Sequence, residues 1–426
     1  MRVLWFTNTP SLSAGYLNYK SIGGGWIDSL QAALADIDSI QLGISFNITD
    51  REIKPFTLNK TKYYPVVIKS HKGRLKNLAC RWKKPIENEN DIQPYLDVIE
   101  EFRPDVIHIF GTEGVFGLIA SKTKVSCIIH LQGNLIICDH KWYCGLTAMD
   151  ILRYSSKLNF LKGFGIYHQY LINKKHADRE RIIFKNCRFF MGRTDWDRRI
   201  SSVFSPNSKY FHCDEMMRPE FHKFQWFNKN NKSEIILLTV IRNTIYKGLE
   251  TVFECKKILD KIDLSCKIIW KIAGISTMDE ISNLLERKYK CTFKENNIQL
   301  CGSLQESELI DEMLGADIFI HPSHIDNSPN SVCEAMLLGM PIIATFAGGI
   351  PSLIEEKKEG LMVQDGDPFA LAGAVIELIK NPNYAEELGI NARSKAMIRH
   401  DSGRIVSKLL EIYNSIFLKD NVYTLS

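Results

Sequence analysis

Six short apolar runs recur through the second half of this chain: IILLTVI (235–241), KIIWKIAG (267–274), NIQLCG (297–302), DIFIHPS (317–323), PIIAT (341–345) and GLMV (360–363). Stretches with helical apolar spacing separate them. This alternation leaves little choice of fold, because parallel neighbours need long crossovers and helices supply them. The runs are apolar along their whole length, as expected for a parallel sheet covered on both faces. A similar series opens the chain, with RVLWF (2–6), PVVI (65–68), VIHIF (106–110), SCIIHL (126–131) and RFFMG (188–192). Gly23, Gly24 and Gly25 there precede WIDSLQAALADI, which has helical spacing. Between the two series, residues 218–234 lapse into polar and aromatic irregularity.

The expected fold class is therefore α/β, with two doubly wound domains. The first covers 1–215 and the second 234–400, joined by a linker at about 216–233. Residues 401–426 read as an amphipathic helix with Ile405, Leu409, Ile412, Tyr413 and Ile416 on one face, packing back toward the first domain. A chain of 426 residues exceeds what one core ordinarily organises. Its 45% hydrophobic and 24% charged residues, with 14 prolines and 26 glycines, exclude a disordered or fibrous class.

No apolar run approaches the roughly 18 residues of a membrane-spanning helix, and the apolar stretch of MRVLWFTNTPSLSAG is short for a signal peptide. The expected location is the cytoplasm, including the inner face of the membrane. Eleven scattered cysteines fit reduced thiols rather than a disulfide framework. The cluster Cys138, His140 and Cys144 lacks a second cysteine pair at ligand spacing, so no metal site is assigned. From Lys54 to Lys84 there are ten Lys or Arg and no acid. Together with Tyr63, Tyr64 and Trp82, this block reads as a contact for anionic headgroups or a lipid-linked diphosphate. Nothing resembles a nucleic-acid-binding module.

The chemistry gathers at HPSHIDNSPNSVCEAMLLGMPIIATFAGGIPSLI (321–354). Ser328 and Pro329 suit an N-cap and first helical position, and Gly339 suits a helix stop. This puts Asp326 in a loop at the sheet's carboxyl edge and Glu334 in the second turn. That edge is where open α/β sheets bind ligands, and a helix N-terminus attracts anions. Gly348 and Gly349 let backbone amides approach the same ligand. At the head of this domain, Arg242 and Lys247 lie at a strand-to-helix junction, where they can neutralise a diphosphate.

The order IRNTIYKG, IAG, CGSL, the 321–354 stretch and GLMVQDGDP resembles retaining glycosyltransferases of family 4, strongly over 235–400 and more weakly before 215. The resemblance implies a GT-B fold, two facing Rossmann-like domains with the cleft between them. It implies that Glu334 holds the nucleotide ribose, and that Asp326, Asn327, Ser328 and Asn330 face the donor sugar. Gly348 and Gly349 would lie beside the diphosphate or sugar, while Arg242 and Lys247 would stabilise the leaving diphosphate. Gly24 and Gly25 would let the first loop reach the donor. The family signature is Glu-x7-Glu, and Asp326 makes it Asp-x7-Glu here.

Many relatives carry a functional His before the glycine that aligns with Gly133. Gln132 occupies that place, and His130, on the same strand face, is a catalytic candidate. Gly111, Thr112, Glu113 and Gln132 are acceptor-side candidates. The implied reaction is hexose transfer from a UDP- or GDP-sugar to a glycan or lipid-linked glycan of bacterial surface polysaccharide, with no further cofactor. Fixed cations make a metal unnecessary in this reading, and no Asp-x-Asp ligand pair sits at a matching place. A non-catalytic nucleotide-sugar-binding subunit and an epimerase are the rivals.

Overall fold

A computed structural model of the chain describes residues 1–19, 25–35, 37–69, 74–228 and 233–423. The backbone divides into two compact units. One comprises Met1–Ile136, Ile172–Arg218 and the segment from His400, and the other Ile137–Leu171 with Pro219–Arg399.

The first unit is built on eight strands: β1 (Arg2–Thr7), β2 (Gln41–Thr49), β3 (Phe56–Leu58), β4 (Thr61–Ile68), β5 (Val106–Phe110), β6 (Cys127–His130), β7 (Phe189–Gly192) and β8 (Lys209–His212). Their order is β3-β4-β2-β1-β5-β6-β7-β8, and only β3 runs antiparallel to its neighbour. β2, β3 and β8 have no counterpart among the apolar runs read above. Gly43, Ser45 and Asn47 interrupt β2, yet Ser45 is fully buried because the strand sits between β1 and β4.

The helix Ser402–Tyr423 belongs to this unit. It buries Ile405, Leu409, Ile412, Tyr413 and Ile416 against Trp5, Trp26, Ile44 and Phe110. The Trp5 indole donates to the Tyr413 hydroxyl at 3.0 Å, and that hydroxyl lies 2.6 Å from His108 Nδ1.

Strands of the second unit are β9 (Glu234–Val240), β10 (Lys267–Ala273), β11 (Ile298–Gly302), β12 (Ile318–His321), β13 (Ile342–Thr345) and β14 (Leu361–Val363). All pairs are parallel, in the order β11-β10-β9-β12-β13-β14. Two boundaries differ from the contiguous division expected. Residues 137–171 fall in this unit because Trp142, Leu146, Ile151 and Ile166 bury their side chains beside Ile241, Ile245, Leu249 and Leu284. The expected linker is partly packed structure: Phe221 and Trp226 are buried, and the Trp226 indole donates to the Ala316 carbonyl at 2.7 Å.

The basic block also differs in space from its linear reading. Tyr63 and Tyr64, expected at headgroup level, are buried because β4 is covered on both faces. Lys62 pairs with Glu101 at 2.8 Å and Lys60 with Asp38 at 3.4 Å, so acids from elsewhere offset part of the charge. Among the described residues no helix is long and apolar enough to cross a membrane.

Candidate active site

In the second unit β9 lies inside the sheet, with the chain running outward to β10 and β11 on one side and to β12, β13 and β14 on the other. The reversal between β9 and β12 is the topological switch point, where crossovers leave a crevice at the strands' carboxyl ends. The loops after β9, β12 and β13 meet there.

After β9 a short turn, Ile245–Lys247, ends at Gly248, and the helix Leu249–Leu259 follows. Gly248 has φ of +76°, and a Cβ there would stand 2.0 Å from the Pro322 carbonyl oxygen, so only glycine lets the β9 and β12 loops touch. That contact delivers Lys247 to Asp326, with Nζ 2.5 Å from Oδ2. His321 Nε2 approaches the same oxygen at 3.1 Å. Burial alone would raise the Asp326 carboxyl, but the Lys247 ammonium and the His321 bond hold it well below the usual carboxylate range. His321 itself is pulled down by burial, which outweighs its acidic neighbour.

The third loop is tied to the same carboxylate residue through the backbone. Gly349 N donates to the Asp326 carbonyl at 2.9 Å. Gly348 has φ of +56°, and a Cβ there would lie 1.9 Å from that carbonyl oxygen. Thr345 Oγ1 donates to the Ser323 carbonyl at 2.5 Å, joining the end of β13 to the β12 loop.

The helix Asn330–Leu338 starts one residue later than expected, with Pro329 extended at its N-cap and Gly339 closing it at φ of +79°. Asn327, Ser328 and Glu334 are buried, and Asn330 is half-buried at the first helical position. Arg242 is exposed beyond β9, outside the hydrogen-bonded cluster. Lys247, Asp326, Gly348 and Gly349 are thus brought into one contact set, with Glu334 one turn into the adjoining helix.

A family model described as glycosyl transferases group 1 matches residues 220–395. Residues 220–395 are a glycosyltransferase group 1 domain. The chain is 23% identical over 322 residues to the amylovoran biosynthesis glycosyltransferase AmsK of Erwinia amylovora, covering 70% of this chain and 76% of that protein. The putative colanic acid biosynthesis glycosyltransferases WcaL of Salmonella typhimurium and Escherichia coli are matched over 45% and 41% of their length, at 26% and 28% identity. Among solved structures, the sucrose-phosphate synthase of Thermosynechococcus elongatus superposes with a TM-score of 0.69 at 15% identity, covering 98% of this chain and all of that one. Anabaena HepE, solved in complex with UDP and glucose, gives 0.62 at 13% identity over 97% of this chain and all of its own. The fold is GT-B.

Two side chains of the glycosyltransferase domain escaped the sequence reading. His324 Nε2 is 2.5 Å from Glu250 Oε1, and its Nδ1 is 3.4 Å from Asp365. Burial alone would lower this imidazole, but the bonds to Glu250 and Asp365 leave it raised above its ordinary value. HPSHID shows both histidines; what it does not show is the acid at Glu250, 74 positions away. Among the described residues no three His, Cys, Asp or Glu side chains converge as a metal ion would require.

In the first unit Gly111 has φ of +82° and donates its N–H to the His130 carbonyl at 2.9 Å. Thr112 donates to Glu180 at 2.5 Å, and Ile136 N donates to the other Glu180 oxygen at 2.7 Å. Burial pushes the Glu180 carboxyl up to about 7. Glu113 packs beside Gly111 and Gly133, and the Arg193 guanidinium donates to the Gln132 carbonyl at 3.1 Å. Glu180 is a further residue the sequence reading missed, since nothing in its helical surroundings marks it.

His130, the catalytic candidate of the first unit, is buried at the end of β6. Its ring is 1% exposed, edge-on to Trp26 at 5.1 Å and stacked on His108 at 5.4 Å. Burial first, then the charges of His108 and Arg193, pull this imidazole well below its ordinary value. Gly25 opens the helix Gly25–Leu34 and faces the Arg218 stem, while Gly24 lies outside the described residues.

Proposed function

We propose that this chain is a retaining glycosyltransferase, transferring a hexose from a nucleotide diphosphate sugar to a glycan or lipid-linked glycan of a bacterial surface polysaccharide. The Lys247–Asp326 pair at the β9/β12 switch point, bounded by Gly348 and Gly349, carries this reading. The polysaccharide role is supported by the name of AmsK, and a UDP-sugar donor by the ligands in HepE.

Breaking the sugar–phosphate bond leaves positive charge at the anomeric carbon and negative charge on the diphosphate. Fixed cations at the diphosphate therefore lower the barrier more than groups that bind substrate and transition state alike. Lys247 and Arg242 are assigned this task, with Asp326 holding the ammonium in place until the donor arrives. Gly348 and Gly349 leave room for the diphosphate and sugar beside Asn327, Ser328 and Asn330. Glu334 accepts from the ribose hydroxyls. The new bond joins the acceptor oxygen to the anomeric carbon, and the acceptor proton passes to the departing diphosphate oxygen. No protein nucleophile or metal takes part. Gly25, Gly111, Thr112, Glu113 and Gln132 are proposed to serve the substrates from the first unit, at the cytoplasmic face of the membrane.

Thermal-shift titration with UDP, GDP, ADP, CMP and their sugars, with and without EDTA, tests this reading. The expected result is stabilisation by one uridine or guanosine diphosphate family, unchanged by EDTA. Absence of any shift, or a shift abolished by EDTA, rejects the site as described.

A further inference from the structure

The second unit carries an apolar surface that the transfer reaction does not use. Two short helices, Ala148–Tyr154 and Lys157–Leu161, lie in the excursion 137–171. Met149 and Leu152, three apart on the first, and Leu158 and Leu161, three apart on the second, are between 59% and 74% exposed. Phe164 follows them into solvent at 50%. An apolar group of this density on a folded surface marks a docking face rather than scattered exposure.

The platform beneath is fixed. Ile151 turns inward to the core, Lys288 meets Asp150 at 3.3 Å, Arg287 donates to the Tyr154 carbonyl at 2.8 Å, and Ser156 N donates to Glu280 at 3.3 Å. The outward side chains are therefore held out by a committed inner face.

Charge identifies the occupant. Between Ala148 and Tyr167 the chain has three cations, Arg153, Lys157 and Lys162, all exposed, and one acid, Asp150, already engaged by Lys288. Apolar side chains interleaved with exposed cations match a bilayer surface, whose acyl boundary takes the first and whose anionic headgroups take the second. By contrast, the basic block 54–84 has its tyrosines buried and Lys60 and Lys62 in ion pairs.

We infer that segment 147–164 docks this protein on an anionic lipid bilayer. The inference does not depend on the donor site, and the two are read by separate measurements. The full chain is sedimented with vesicles of phosphatidylcholine, with or without phosphatidylglycerol. Binding is expected only to the anionic vesicles and is expected to weaken with salt. The double variant Leu152→Glu/Leu158→Glu should lose at least about tenfold in partitioning, with unchanged thermal unfolding and nucleotide binding. Lys157→Gln/Lys162→Gln should weaken binding at low salt without altering the fold. Equal vesicle binding by the Leu152→Glu/Leu158→Glu protein overturns the inference, as does absence of binding by the native chain. Self-association of the native chain that this variant abolishes would overturn it too, assigning the face to a second copy.

Discussion

At the residue scale the decisive contact is one ammonium on one carboxylate. Lys247 and Asp326 are 15% and 17% exposed, so their attraction is less screened than that of a surface pair. Lys247→Ala is expected to slow transfer by at least about 100-fold while the fold survives, because a fixed cation is lost from the developing diphosphate charge. Stability should fall by about 1–3 kcal/mol, since Asp326 is left without its partner. In a double-mutant cycle with Asp326→Asn the stability losses should add to less than their sum. Near-native turnover in Lys247→Ala removes this residue from the mechanism, and strict additivity removes the pairing. Asp in place of the family's Glu suits this geometry, because the shorter side chain meets Lys247 while its own carbonyl accepts from Gly349.

At the scale of elements, His324 joins three segments: the first turn of the helix Leu249–Leu259 through Glu250, the loop after β12, and the loop after β14 through Asp365. Its folded-state pKa is raised, so the folded protein holds this proton more tightly than the unfolded chain does. The resulting stability is fully present below the unfolded value of about 6.5 and is lost as pH rises through the higher folded value. Unfolding free energies of native and His324→Gln protein should differ most below about pH 6 and converge in alkali. A difference that is constant with pH would show packing, not protonation, to be what His324 contributes. The same scale explains why β2 and the boundary at 137–171 were hidden. Gly43, Ser45 and Asn47 break the apolar run, and a strand's burial depends on neighbours that are distant in sequence.

For the whole molecule, two units with separate cores predict two unfolding transitions. Leu409 is 1% exposed in the core of the first unit. Leu409→Ala should cost about 2–5 kcal/mol and lower only that unit's calorimetric transition. A donor nucleotide should raise only the other. A single transition, shifted by both, would contradict independent cores. The alternation of apolar runs with helical stretches was enough to determine two parallel α/β domains, because period and crossover length are local properties of a chain. The spacing around 321–354 likewise placed Asp326 in a loop, Glu334 in a helix and the glycines beside them. Only the tertiary structure decided that Lys247 closes on Asp326, that His324 finds Glu250 and Asp365, that His130 faces aromatic rings, and that residues 137–171 leave the first unit for the second. Each of these rests on side chains tens or hundreds of positions apart, whose burial and charge depend on which strands become neighbours.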